Sequence, residues 1–161
     1  MQELEGFAVV DGAEHLQRFA LFKQLSYEET SALAGLTRRT RFRPGEVIIE
    51  QDALGQALHL ILSGRVRVVK GAEAEVLGSI AEGELFGEMS LVDDLLTSAR
   101  VVAETEVETL AIDRAPFEKL LAADARLAAK VYRAFCRQLS ERLRRSNEQL
   151  AGKAGLSLQL T

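Results

Sequence analysis

Between Thr37 and Ile112 the apolar residues come only in short runs, each closed within a few positions by a turn former. Val47-Ile48-Ile49, Val76-Leu77, Arg100-Val101-Val102 and Leu110-Ala111-Ile112 are four such runs. Leu58-His59-Leu60-Ile61-Leu62 is a fifth, shut by Ser63-Gly64. Arg65-Val66-Arg67-Val68 alternates polar and apolar with period 2, the pattern of a strand with one buried face. Pro44-Gly45, the stretch from Asp52 to Gly55, Gly71, Gly83 and Asp93-Asp94 supply the turns between them. Many short strands at close spacing restrict this part of the chain to a small barrel, roll or sandwich.

Helix formers crowd the two ends. Residues 13–35 read as a helical segment, and Ser26 with Glu29 forms a capping box for a short helix ending near Gly35. Asp113 is placed to cap a helix reaching about Ala122, with Pro116 tolerated in its first turn. Asp124 is placed to cap a longer one, running to about Leu150 before Gly152 and Gly155 offer stops. That helix would be roughly 40 Å long. The expected architecture is α+β, as a single domain over 1–161. It has an N-terminal helical segment (1–35), a β unit (37–112) that is a barrel, roll or sandwich, two C-terminal helices (113–150) and a tail (151–161).

Composition narrows the function. Of 161 residues, 47% are apolar and the formal net charge is -4, so nothing global suggests a nucleic-acid binder. The single cysteine, Cys136, excludes an intramolecular disulfide framework and fits a reducing compartment. No apolar run reaches the roughly 20 residues of a membrane span, and the acidic N-terminus lacks the basic region of a signal peptide. The expected location is therefore the cytoplasm. His15 and His59 lack ligand-like companions, which argues against a metal, and His59 reads as an ordinary strand residue. No nucleophile–base arrangement or P-loop motif appears, so neither an enzyme nor a resident cofactor is expected. Cys136 reads as a small semi-buried helix residue.

Chemistry concentrates in Gly83-Glu84-Leu85-Phe86-Gly87-Glu88-Met89-Ser90-Leu91 and in Thr97-Ser98-Ala99-Arg100-Val101-Val102. Gly87 lets backbone approach a ligand closely. A helix start there aims free N–H groups at an anion. Glu88 offers two acceptor oxygens to hydroxyls such as those of a ribose, and Ser98 offers a hydroxyl donor. The combination suits a small molecule with a sugar and an anionic end. The bland alternative is that Gly83 and Gly87 only turn a corner of the roll.

With these segments in view, the chain resembles the cyclic nucleotide-binding domain family over about residues 16–146. Arg43-Pro44-Gly45-Glu46-Val47-Ile48 is similar to the family's first strand pair. Leu58-His59-Leu60-Ile61-Leu62-Ser63-Gly64-Arg65-Val66 is similar to the next, and Phe86-Gly87-Glu88-Met89-Ser90-Leu91 to its phosphate-binding cassette. The resemblance implies an α+β fold in which residues 37–112 form an antiparallel, jelly-roll-like β-roll. It also implies a site made of Phe86, Gly87, Glu88, Met89, Ser90, Thr97, Ser98, Ala99 and Arg100, taking a cyclic nucleotide such as cAMP or cGMP, or a related nucleotide. Two positions depart from the family pattern. Thr97 stands where the family carries the arginine that pairs with the cyclic phosphate, and Asp52 stands where it usually has a turn glycine. A lost charge-assisted contact of about 1.5–3 kcal/mol lowers affinity roughly 10- to 100-fold or more. Asp93 and Asp94 add negative charge nearby. Arg100 lies two residues beyond Ser98, on the same face of an uninterrupted strand. There it either serves the ligand or pairs internally with Glu88 or another carboxylate.

The long helix carries Leu127, Val131, Phe135, Leu139 and Leu143 as a stripe, more than a small β-unit covers. Its first half packs on its own domain, and its second half asks for a partner helix, which makes residues 124–150 the expected homodimer interface. Arg133, Arg137, Arg142, Arg144 and Arg145 read as a solvated face with pairs such as Glu141–Arg145. In the transcription-factor branch of the family this helix leads into a helix-turn-helix, for which residues 151–161 are too few, so no direct DNA reading is expected. Two functions follow. One is a sensor that relays ligand binding through its C-terminal helices to a dimer or protein partner. The other is a degenerate, ligand-free interaction module, favoured by Thr97. A subunit that borrows a separate DNA-binding or catalytic chain is a third.

Overall fold

The structure is a computed structural model. It describes residues 2–3 and 16–160, with side chains over 16–153. The expected helical segment before Leu16 lies outside the described residues. After it come a 3-10 turn at Ala20–Phe22 and α1 at Tyr27–Ala34. The strands are β1 (Gln2–Glu3), β2 (Thr37–Phe42), β3 (Val47–Ile49), β4 (Ala57–Ser63), β5 (Arg65–Lys70), β6 (Glu75–Ala81), β7 (Leu85–Phe86), β8 (Arg100–Ala103) and β9 (Val107–Asp113). The one-turn helix α2 (Met89–Asp93) falls between β7 and β8. Helices α3 (Arg114–Ala123) and α4 (Ala125–Leu160) close the chain.

All pairings are antiparallel. One sheet has the order β1-β2-β9-β4-β7 and the other β3-β8-β5-β6. Between them lies an inner core of Phe42, Ile61, Val66, Ile80, Phe86, Val101, Ala103 and Val107. The outer face of the five-stranded sheet, through Leu58, Leu60, Leu110 and Ile112, is covered by the N-terminal turns and by Phe117, Leu127, Val131 and Phe135 of the last two helices. This is the expected α+β roll, one of the three β architectures that the short-run pattern left open.

Local chemistry explains the ends. Both halves of the capping box form, Glu29 N–H donating to Ser26 Oγ at 3.1 Å and Ser26 N–H to Glu29 Oε1 at 2.8 Å. Asp124 caps α4 by accepting from Leu127 N–H at 3.0 Å. Asp113 occupies the N-cap position of α3 but makes no capping bond. Its carboxylate instead takes Arg38 Nη2 at 3.0 Å from the neighbouring strand. Helix α4 runs on to Leu160, through the expected stops and the expected tail. One glycine costs a helix only about 1 kcal/mol, too little to end it. Gly64 and Gly87 hold φ of +92° and +91°. A Cβ on Gly64 would collide with the Glu106 carbonyl oxygen, and one on Gly87 would sit 2.5 Å from that of Ala57. Asp52, which stands where the resemblance has a turn glycine, has φ of +57°.

β2 is the least strand-like sequence in the roll, Thr-Arg-Arg-Thr-Arg-Phe. Its arginines are answered across the β2–β9 pairing, Arg39 by Glu108 Oε2 at 2.6 Å and Arg41 by Glu108 Oε1 at 2.5 Å. Arg41 foremost, then Arg39, holds the Glu108 carboxyl below the usual range. His59 is not an ordinary strand residue. It is buried, lies flat on Phe86 at 4.9 Å between ring centres, and shares a hydrogen bond of 3.0 Å with Thr109 Oγ1. Burial lowers its pKa to about 3.

Candidate functional site

The cassette is assembled by three devices. β7 places Phe86 in the inner core, Gly87 turns the chain at positive φ, and Glu88 enters α2 as its first flanking residue. Gly55 must be glycine here, because a Cβ would collide with the Ser90 side chain. Phe86, Glu88 and Ser90 are buried, whereas Met89 is exposed.

The Glu88 side chain does not point to open solvent. Only 1% of the residue is exposed, and its Oε1 accepts from Arg142 Nη1 at 2.6 Å. Arg142 also donates to the Leu85 carbonyl, which Gln138 Nε2 reaches at 2.9 Å. One turn further on, Arg145 approaches Glu84 at 3.3 Å. Three residues of α4 therefore lie against the Glu84–Glu88 segment. Burial raises the Glu88 pKa above the ordinary carboxylate value, and the Arg142 charge opposes part of that rise. This corrects two expectations. Arg145 pairs with Glu84 rather than with Glu141, and the helical arginines are partly spent on the roll instead of on a solvated face. Sequence reasoning missed Arg142 as a partner of Glu88, because the residues are 54 positions apart and only the path of α4 joins them.

Thr97 is buried and already bonded. Its hydroxyl accepts from Ala53 N–H at 3.0 Å and donates to the Glu50 carbonyl, while backbone bonds of 2.9 Å join it to Asp52 and Ala53. It ties the 50–53 turn to the cassette loop. Ser98 is exposed and, with Ala99, forms a bend rather than strand. That bend breaks the alternation expected between Ser98 and Arg100. β8 starts at Arg100, and its parity turns Val101 and Ala103 into the inner core. Arg100 thus faces the other way, into a cleft it shares with Arg65 and Arg67. It is neither beside the cassette nor the partner of Glu88. Cys136, expected to be semi-buried, is exposed. Among the described residues no group of three side chains is arranged to hold a metal ion, and no helix is long and apolar enough to cross a membrane.

A model of the cyclic nucleotide-binding domain matches residues 39–124, more than half of the chain, from within β2 through the cassette and into the C-terminal helices. The chain belongs to the cyclic nucleotide-binding domain family. The family is regulatory and ligand-binding. The Cyclic AMP receptor protein of Thermus thermophilus is 38% identical over 104 residues, which cover 63% of this chain and 48% of that protein. The chain thus spans about half the length of this curated relative. A cyclic nucleotide-binding domain from Methylobacillus flagellatus has the same fold, with TM-score 0.77, 26% identity, and coverage of 90% of this chain and 83% of that one. The regulatory subunit of a cAMP-independent protein kinase A from Trypanosoma brucei is also similar, with TM-score 0.69 and 26% identity over 81% of this chain and 48% of that one. A form of that subunit with three substitutions, one of them threonine to arginine, is bound to cAMP.

Proposed function

We propose that this domain is a cytoplasmic ligand-sensing module. It takes a cyclic nucleotide or a related nucleotide against Phe86–Ser90 and Thr97–Ala99, and it reports occupancy through α4. The observation that carries the reading is the ion pair between buried Glu88 and Arg142. Glu88 is the acceptor suited to sugar hydroxyls, and α4 holds it shut. A ligand that takes Glu88 must displace Arg142, so binding and helix position share one group. Two states with different ligand affinity are what such coupling requires. Thr97, neutral and already engaged, supplies no cation for a cyclic phosphate. Weak affinity for cAMP follows, and the cAMP-independent trypanosome relative is in keeping with it.

The output is a homodimer or a protein partner joined through α4. From Leu143 to Lys153 every residue of the helix is exposed, and Leu143 and Leu150 are 62% and 64% exposed, so the apolar positions of this stretch are left uncovered by its own domain. Tyr132, Cys136, Leu139, Leu143, Ser146 and Leu150 recur at alternating spacings of four and three, the seam of a two-stranded coiled coil. No direct DNA reading is assigned to this domain.

The test is thermal stability against millimolar cAMP, cGMP, cyclic di-GMP and linear nucleotides. Ligand at 100 times its Kd stabilises by about 2.7 kcal/mol, or several degrees at this size. A shift with one of them supports the sensor. No shift with any returns the domain to the ligand-free interaction module.

A further inference from the structure

The two sheets treat their arginines differently. On the five-stranded sheet the β2 arginines 38, 39 and 41 are matched by Asp113 and Glu108. On the four-stranded sheet Arg65, Arg67 and Arg100 share one face, turned away from the inner core, and none makes an ion pair with a described carboxylate. Arg65 and Arg67 are two apart on β5, hence on one side of it. Arg67 lies opposite Val102, and Arg100 lies opposite Val69, so the two guanidinium-bearing positions are diagonal neighbours across adjacent strands. Three like charges at such positions repel one another. The Nε of Arg100 is also buried with no hydrogen-bond partner, which leaves a strong donor unanswered.

These residues wall a cleft of about 660 Å³, a volume typical of small-molecule sites. Its floor is apolar, with Val69 and Val102 almost fully buried. Among the described residues Glu104 is the one carboxylate that borders it, too few for three cations. Guanidinium groups that line a water-accessible hollow suit phosphoryl oxygens, which accept paired N–H bonds.

We propose that the outer face of the β3-β8-β5-β6 sheet is a second binding site, for a pyrophosphate-type anion, either free or as the polyphosphate of a nucleotide. Arg100 and Arg67 grip the anion from adjacent strands, and Arg65 closes the open side. The site lies across the sheet from the inner core and is separate from Glu88, so it does not depend on the function proposed above.

Calorimetric titration of the whole chain with inorganic pyrophosphate tests it. Saturable one-to-one binding is expected, weakened tenfold or more by Arg67→Gln and by Arg100→Gln, and unchanged by Arg133→Gln on α4. Arg65→Gln, at an exposed position, gives the same reading if Arg100→Gln does not fold. Amide shifts in NMR spectra should gather on β5 and β8. Comparison with ADP separates the two sources. Tenfold tighter ADP assigns a nucleotide and equal affinity assigns the free anion, either of which supports the site. The proposal is overturned by an absence of saturation at millimolar pyrophosphate, by equal weakening in Arg133→Gln, or by shifts that gather on Gly87–Ser98 instead.

Discussion

Replacing Arg142 with glutamine isolates the contact on which the account turns. The substitution removes the cation 2.6 Å from a carboxylate that is 1% exposed and takes away one of two donors to the Leu85 carbonyl. Breaking a fully buried pair costs about 3–5 kcal/mol. The Arg142 side chain is 24% exposed, and Glu88 has the option of protonation, so about 1–3 kcal/mol is the better expectation. At this chain length that is a fall in Tm of roughly 2–12 °C. The loss should depend on pH in a definite sense. The folded-state pKa of Glu88 is raised by burial and held down in part by Arg142. A raised carboxylate pKa means that the folded state binds more protons than the unfolded one. Its contribution therefore weakens as pH climbs from the ordinary carboxylate value through the raised one, then levels off. Without Arg142 the folded pKa climbs further and the weakening extends upward. The deficit of Arg142→Gln relative to wild type should then be larger at about pH 8 than at about pH 5, read by thermal melts of both proteins across that range. An equal deficit at both, or no deficit, refutes the argument that a buried charge is being held.

Four other outcomes follow from the same contacts. Thr97→Arg should raise cAMP affinity tenfold or more by calorimetry, because it supplies the missing charge-assisted contact. It should also lower Tm through loss of the bonds to Glu50 and Ala53. Gly87→Ala should destabilise by about 1–3 kcal/mol in chemical denaturation, since positive φ and the Ala57 carbonyl both oppose a Cβ. Wild type should lose stability as pH falls from the ordinary histidine range towards 3, at a slope of up to about 1.4 kcal/mol per pH unit, because buried His59 resists protonation in the fold alone; the slope should be shallower in His59→Gln. Leu143→Glu should abolish a dimer seen by sedimentation in the wild type without lowering its Tm by the amount a core substitution would, as Leu143 is exposed.

What was readable from sequence divides along a physical line. Strands that alternate or carry short apolar runs, such as β4, β5 and β9, announce themselves because one or both faces are buried. β2 does not, because its stability comes from carboxylates about 70 residues away on β9, which no local window contains. Gly64 and Gly87 were readable because backbone geometry admits little else at these positions. The cassette was readable as a segment, yet its electrostatics were not. Glu88 acquires its partner from α4, and Arg100 acquires its orientation from a bend at Ser98 and Ala99 that an ideal strand lacks. The end of α4 was misplaced because glycine weakens a helix without forbidding one.

The central claim is that ligand and Arg142 compete for Glu88. Coupling between two events is reciprocal, so whatever free energy the ligand must spend to open the pair is returned when the pair is already open. The most direct measurement is the affinity of the nucleotide that gives the largest thermal shift, compared by calorimetry for wild type and Arg142→Gln. The account predicts tighter binding to the variant. Equal or weaker binding would contradict it, and would show that Arg142 supports the ligand or stands apart from it rather than standing in its place.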